Sequence, residues 1–166
     1  MLKIIKFPDP ILREQMPAFD FENPIIDPKQ LEKDMLELMY QSGGIGLSAN
    51  QVGVRTRMFV MGHAEHPEEG VGIFNPVVVE AEGTRDDEEG CLSFPGIFAK
   101  VKRPNSVKAQ WQNSDGEPQQ GLITGYTCRC FLHELDHLEC VVFQDRVSPL
   151  KWALGLKKLQ KNKRKY

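Results

Sequence analysis

The sequence predicts an α+β fold: antiparallel or mixed β-sheets wrapped around a central metal-binding helix, with an N-terminal helix and a short C-terminal helix. Three observations carry this. Strand-like and helix-like segments follow one another without the regular alternation of a parallel sheet. A helical pattern at about 124–139 contains His133-Glu134-Leu135-Asp136-His137, an H-E-x-x-H. The 166 residues are 40% hydrophobic and 27% charged, which suits one compact unit with a sizeable core. Residues 1–166 therefore read as a single domain, with 151–166 as a basic C-terminal helix or tail.

The first helix starts at Asp27-Pro28-Lys29-Gln30, where Asp caps, Pro suits the first turn and Gln closes the box. Leu31, Met35, Leu38 and Met39 follow at helical spacing, and Ser42-Gly43-Gly44 stops the run. Residues 56–62 and 72–79 read as strands, with the polar stretch HAEHPEEG as a loop between them. Residues 80–90 are acidic and read as a loop or an edge. Residues 105–112 alternate as a strand, and Asn113-Ser114-Asp115-Gly116 turns the chain. Gly121-Leu122-Ile123 leads into the long helix. Ser148-Pro149 starts a last helix bearing Leu150, Leu154, Leu156 and Leu159.

No run of eighteen apolar residues occurs, so no membrane span is expected. The opening MLKIIKFPDPILREQ is too soon broken by Lys6 and prolines to serve as an export signal, which points to the cytoplasm. There the four cysteines (Cys91, Cys128, Cys130 and Cys140) read as thiols or metal ligands rather than disulfides. Cys128 and Cys130 read as two small residues on opposite faces of a helix. The net charge of −2 is unevenly spread. From Lys151 onward lie Lys151, Lys157, Lys158, Lys161, Lys163, Arg164 and Lys165 with no acid among them. Such a tail suits an anionic partner, and a solvated helix end with cations near its C-terminus gives the same pattern.

Two histidines four apart on a helix lie about 40° apart in projection, with roughly 6 Å between Cβ atoms, so both rings can reach one metal ion. Glu134 lies one step around, where it can touch metal-bound water without ligating. A catalytic zinc or iron normally takes three protein ligands. After Glu139 the chain has no Glu, and Cys140 and Phe143 stand where an H-E-x-x-H-x-x-G-x-x-H pattern needs Gly and His. His63 and His66 lie in the charged loop and read as solvated. A thiolate remains. Cys91, in Glu89-Gly90-Cys91-Leu92-Ser93, could be presented by an extended strand beside the helix, giving a His₂Cys site with an open fourth position. A buried small hydrophobe is the alternative fate of such a cysteine.

With these residues in view, the chain resembles the peptide deformylases. The resemblance rests on Gly44-Ile45-Gly46-Leu47-Ser48-Ala49-Asn50-Gln51, on Glu89 to Ser93, and on His133 to Leu138, in the family's order and spacing. With FPDPIL near the start it covers nearly the whole chain. Four positions depart from the pattern: Ser48 for Ala, Leu132 for Gln, Cys128 for Ala and Cys140 for Gly. Cys140 enters the left-handed region less cheaply than Gly, so a different turn after the metal helix is expected.

The resemblance implies a metal-dependent hydrolase that removes the formyl group from the N-terminal formyl-methionine of new polypeptides, releasing formate. It implies Cys91, His133 and His137 as ligands of one divalent ion. That ion is iron(II) in this family, with zinc, nickel and cobalt as alternatives. Glu134 would act as general base, and the Gln51 amide and the Leu92 backbone N–H would stabilise the oxyanion. Ile45 and Gly46 would lie along the bound peptide, with Leu92 and Cys130, together with Phe131, at the methionine pocket. Glu89 would support the site with a basic partner, Arg103. Asp136 either orients a neighbour or faces solvent. Expected partners are the formyl-Met peptide and, through the tail, a transient contact with the ribosome, for a monomer that touches no membrane. Rival readings are an endopeptidase, a closed structural metal module with Cys128 or Cys130 as fourth ligand, and a ribosome-binding protein.

Overall fold

The structure, a computed structural model, describes residues 2–163; Arg164 and Lys165 of the basic tail lie outside the described residues. The elements are α1 (Pro28–Gln41), β1 (Gly46–Ser48), β2 (Met58–His63), β3 (His66–Glu82), β4 (Arg85–Cys91), β5 (Phe94–Arg103), β6 (Ser106–Gln112), β7 (Pro118–Thr124), α2 (Gly125–Leu138) and α3 (Pro149–Lys163). A five-stranded sheet runs β1-β2-β3-β6-β7, and β4-β5 form a separate hairpin. Every pairing is antiparallel, so the α+β expectation holds without any mixed sheet.

α1 begins where expected: the Asp27 carboxylate accepts from the Gln30 N–H at 2.7 Å. β2 explains the apolar run in TRMFVMG. Successive side chains of a strand point to opposite faces. Phe59 and Met61 face a cluster with Phe131 and Leu138 of α2, while Met58 and Val60 face one with Met35 and Met39 of α1. Both faces are covered, so both alternations are apolar. A third cluster joins Phe94, Ile97 and Val101 of the hairpin to Leu12, Val142 and Phe143, with Trp152 and Leu159 of α3 against it.

One loop expectation is corrected and one open reading is resolved. HAEHPEEG is not a loop: β2 runs to His63 and β3 starts at His66, with His63 opposite His66. A hairpin tip needs only main-chain pairing, so its polar, exposed side chains hid it. Of the two readings of the acidic stretch, loop or edge, the edge holds. β3 runs to Glu82, and β4 lays Asp86 opposite Lys102 and Glu88 opposite Lys100. Cross-strand pairing of opposite charges, roughly 0.2–1 kcal/mol a pair, makes a strand of residues that disfavour one alone. β1, β5 and β7 were not foreseen.

α2 covers the sheet on the β1, β2, β6 and β7 side. Cys140 adopts φ 54°, and the Val141 N–H returns to the Asp136 carbonyl at 2.9 Å. The turn after α2 thus carries a side chain in the left-handed region. That conformation costs an L-residue roughly 1–2 kcal/mol, partly offset by the greater unfolded-state freedom of Gly. Cys140→Gly is expected to stabilise the fold by about 0.5–1 kcal/mol, read as a higher urea midpoint at unchanged slope.

Candidate metal centre

Cys91 is the last residue of β4, and Leu92-Ser93 turn the chain into β5, with Cys91 opposite Phe94. A hairpin corner thus holds the sulfur against α2. The donor atoms of Cys91, His133 and His137 lie within 4.8 Å of one another. Cys91 Sγ and His137 Nε2 are 3.4 Å apart. Tetrahedral coordination with metal–sulfur near 2.3 Å and metal–nitrogen near 2.05 Å sets such a pair about 3.6 Å apart. The imidazole rings lie 5.1 Å apart at 66°, so they converge without stacking. The donor set therefore fits a divalent ion. Cys128 and Cys130 lie outside it, their sulfurs turned to the Pro104 and Ile45 carbonyls. They do not close the site as a fourth ligand. His63 and His66 are exposed on their hairpin, as expected.

Each ligand is braced. His133 Nδ1 is 3.0 Å from Glu89 Oε2. An ionised carboxylate only accepts, so Nδ1 carries the proton and the other ring nitrogen is left for metal. The Asn50 amide donates to the His137 carbonyl at 2.8 Å and holds the end of α2. Gln51 Nε2 lies 3.6 Å from Cys91 Sγ.

Glu89 is the hub expected from the resemblance. Arg103 grips it with Nε at 2.5 Å and Nη2 at 3.0 Å, which makes the expected pair. A second arginine, Arg129, also donates to Glu89 at 2.7 Å and reaches the Val101 and Arg85 carbonyls at 2.7 and 2.8 Å. One guanidinium of α2 thereby clamps both strands of the hairpin. Asp136 orients neighbours rather than facing solvent alone: it accepts from Arg103 at 2.9 Å and from Arg146 at 2.6 Å. Burial opposes ionisation of Glu89, but hydrogen bonds from His133 and Arg103 outweigh it and hold its carboxyl at about 2. Arg129 precedes His133 by one helical turn on the same face, a pattern visible in the sequence but not used.

The centre opens into a cleft of about 510 Å³, bordered by Ile45, Gly46, Gln51, Leu92, Cys130 and Glu134. Phe131 does not line it. It is fully buried in the sheet-side core, edge-on to Phe59 at 5.2 Å. It points away because α2 turns adjacent residues by about 100°. Glycine at 46 is a steric requirement: a Cβ there would meet Glu134 Oε1 at 2.5 Å and Cys130 Sγ at 2.8 Å. Burial dominates the Glu134 environment and pushes its carboxyl up to about 7, against the opposing pull of His133. Its Oε2 is buried without a hydrogen-bond partner among the described residues. Burial likewise drives the Cys130 thiol up and keeps it neutral.

Removing the Glu89 charge leaves two guanidinium groups buried with less compensation. Glu89→Gln is expected to cost about 3 kcal/mol or more of unfolding free energy, measured by denaturant titration of the metal-free protein. The sign with pH follows. The depressed carboxyl stabilises the wild type above the ordinary value of 4.5, and this contribution is lost as pH falls from there to about 2. The variant should lack that acid slope.

The polypeptide deformylase family model matches residues 1–153. A peptide deformylase of Thermotoga petrophila is 42% identical over 161 residues, 96% of this chain and 94% of the relative. One of Zymomonas mobilis is 39% identical over 172 residues, 99% and 96% of the two chains. The solved peptide deformylase of Legionella pneumophila has a TM-score of 0.89 at 34% identity, covering 99% of this chain and 96% of that one. A cysteine sulfur and two imidazoles at one cleft, on a fold shared with these enzymes over nearly the whole chain, have a single reading: the chain belongs to the polypeptide deformylase family, metal-dependent enzymes that remove the N-formyl group from new polypeptides.

Proposed function

We propose that Cys91, His133 and His137 hold the catalytic metal, that Glu134 moves the proton, and that Gln51 and the Leu92 N–H receive the developing oxyanion. The carrying observation is the convergence of the three donors, within 4.8 Å, at a cleft that also contains Glu134 with one carboxylate oxygen unpartnered. A bound divalent ion supplies a Lewis acid that acidifies water and polarises a carbonyl. Glu134 takes the proton of the attacking water and delivers it to the departing amine. Gln51 is uncharged, so its N–H helps the oxyanion without competing for metal.

The formyl-Met peptide adds along the free edge of β1 at Ile45-Gly46, in the manner of strand addition. Its methionine side chain enters the cleft beside Leu92 and Cys130. Glu89, with Arg103, fixes the His133 ring. Thiolate and imidazole donors accept iron(II), zinc, nickel and cobalt, and we assign iron(II) in the cell. Metal analysis of anaerobically purified protein tests that assignment.

α3 supports a second, compatible role. Lys151, Lys157, Lys158, Lys161 and Lys163 are all exposed, while Trp152 and Leu159 anchor the helix to the hairpin. This is a cationic face on a fixed arm, suited to transient contact with ribosomal phosphates. No described helix is long and apolar enough to cross a membrane.

Glu134→Gln is expected to lower kcat for formate release from formyl-Met-Ala-Ser by about 10²–10⁴-fold while metal content stays constant. Turnover near wild type would remove Glu134 from the proton transfer. Cys91→Ser is expected to weaken metal binding by roughly tenfold or more, read by chelator competition, and to abolish the thiolate charge-transfer band of the cobalt(II)-loaded protein.

A further inference from the structure

We propose that Ser93 is a positioning residue that fixes the orientation of the Gln51 amide, through a hydrogen-bond chain ending on the Ile5 carbonyl. The inference rests on the reading of Gln51 as an oxyanion donor and adds what aims it. Ser93 is 1% exposed, and so is Gln51. Ser93 Oγ lies 2.7 Å from the Ile5 carbonyl oxygen and 3.0 Å from Gln51 Nε2.

Proton counting decides the geometry. A carbonyl can only accept, so the single hydroxyl proton of Ser93 goes to Ile5. The serine oxygen then has only lone pairs left for Gln51, and the atom facing it must be an N–H. At the other end of the same amide, Oε1 lies 2.9 Å from the Ser48 backbone nitrogen, which can only donate. Both ends demand the same rotamer. A flipped amide would set acceptor against acceptor at Ser93 and donor against donor at Ser48. With one Nε2 proton held by Ser93, the other is donated toward Cys91 Sγ at 3.6 Å, at the border of the cleft.

The segment supplying Ile5 is itself stitched to both donor loops. The Ile5 N–H bonds the Gln51 carbonyl at 2.7 Å, and the Phe7 N–H bonds the Ser93 carbonyl at 3.0 Å. Lys6 Nζ bonds the Leu92 carbonyl at 2.6 Å. Residues 5–7 therefore act as a strap across the two loops from which the oxyanion donors come, and Ser93 is its buckle.

The test is a double-mutant cycle in the metal-loaded enzyme, with formyl-Met-Ala-Ser as substrate. Gln51→Ala is expected to lower kcat about 10²–10³-fold. Ser93→Ala is expected to lower kcat about tenfold or more, with KM and chelator-measured metal affinity changed less than about twofold. The double variant is expected to be no slower than Gln51→Ala alone. If Gln51→Ala is harmless, the reading of Gln51 fails and the inference falls with it. If Gln51→Ala is damaging and Ser93→Ala multiplies onto it, or Ser93→Ala releases metal, the inference is overturned while the reading of Gln51 stands. Nuclear magnetic resonance of the unmodified enzyme gives a check independent of folding. The Gln51 Nε2 protons should exchange with solvent far more slowly than those of an exposed glutamine, and exchange as fast as that of an exposed amide would overturn the proposal.

Discussion

The β4–β5 hairpin and α2 share no backbone hydrogen bond among the described residues, yet the candidate metal site lies between them, with the sulfur on one and the imidazoles on the other. What joins them is the buried carboxylate of Glu89, held at once by His133, Arg103 and Arg129. Burying ions costs several kcal/mol each, and only dense pairing offsets it. Here the pairing is dense: Asp136 pairs with Arg103 and Arg146, Glu89 pairs with Arg103 and Arg129, and the Val101 and Arg85 carbonyls accept further Arg129 protons. The network contributes less to net stability than a packed apolar core would. What it supplies is register. The hairpin corner can sit in one place only, because carboxylate and guanidinium bonds are directional where apolar contacts are not.

The apolar clusters do the complementary work. The double-sided core of β2 ties α1 and α2 to one sheet, and a third cluster under β5 seats the hairpin against Val142 and Phe143. Hydrophobic burial thus brings the two halves of the site to within a few ångströms, and charged hydrogen bonds set the last one. Each ligand is then trimmed locally: Glu89 on His133, Asn50 on the carbonyl of His137, and the Gln51 amide beside Cys91.

The sequence was legible where chemistry and periodicity coincide. His133 and His137 at helical spacing fix one face of α2, and with no Glu after Glu139 and no His after His137, Cys91 is left as the third donor. α1 was legible from its cap and its Leu31-Met35-Met39 stripe. The hairpin was not, because its acidic strand reads as solvent until the basic strand opposite is known, and no single-segment pattern contains both. Ser93 and Asn50 were illegible for the same reason at longer range: their partners lie 88 and 87 residues away in the chain. Cys140 shows a local preference overridden: its side chain sits in the left-handed region at φ 54°, and the packing around the end of α2 tolerates the strain.

The shortness of β1 carries a consequence for breadth of action. It offers three residues at the margin of the five-stranded sheet, about 10 Å of ladder at roughly 3.3 Å per residue. A peptide added to β1 in the manner proposed above would pair over only its first few units, through main-chain atoms common to every protein. A groove of that length is suited to a housekeeper that must process the beginnings of a whole proteome and let each one go.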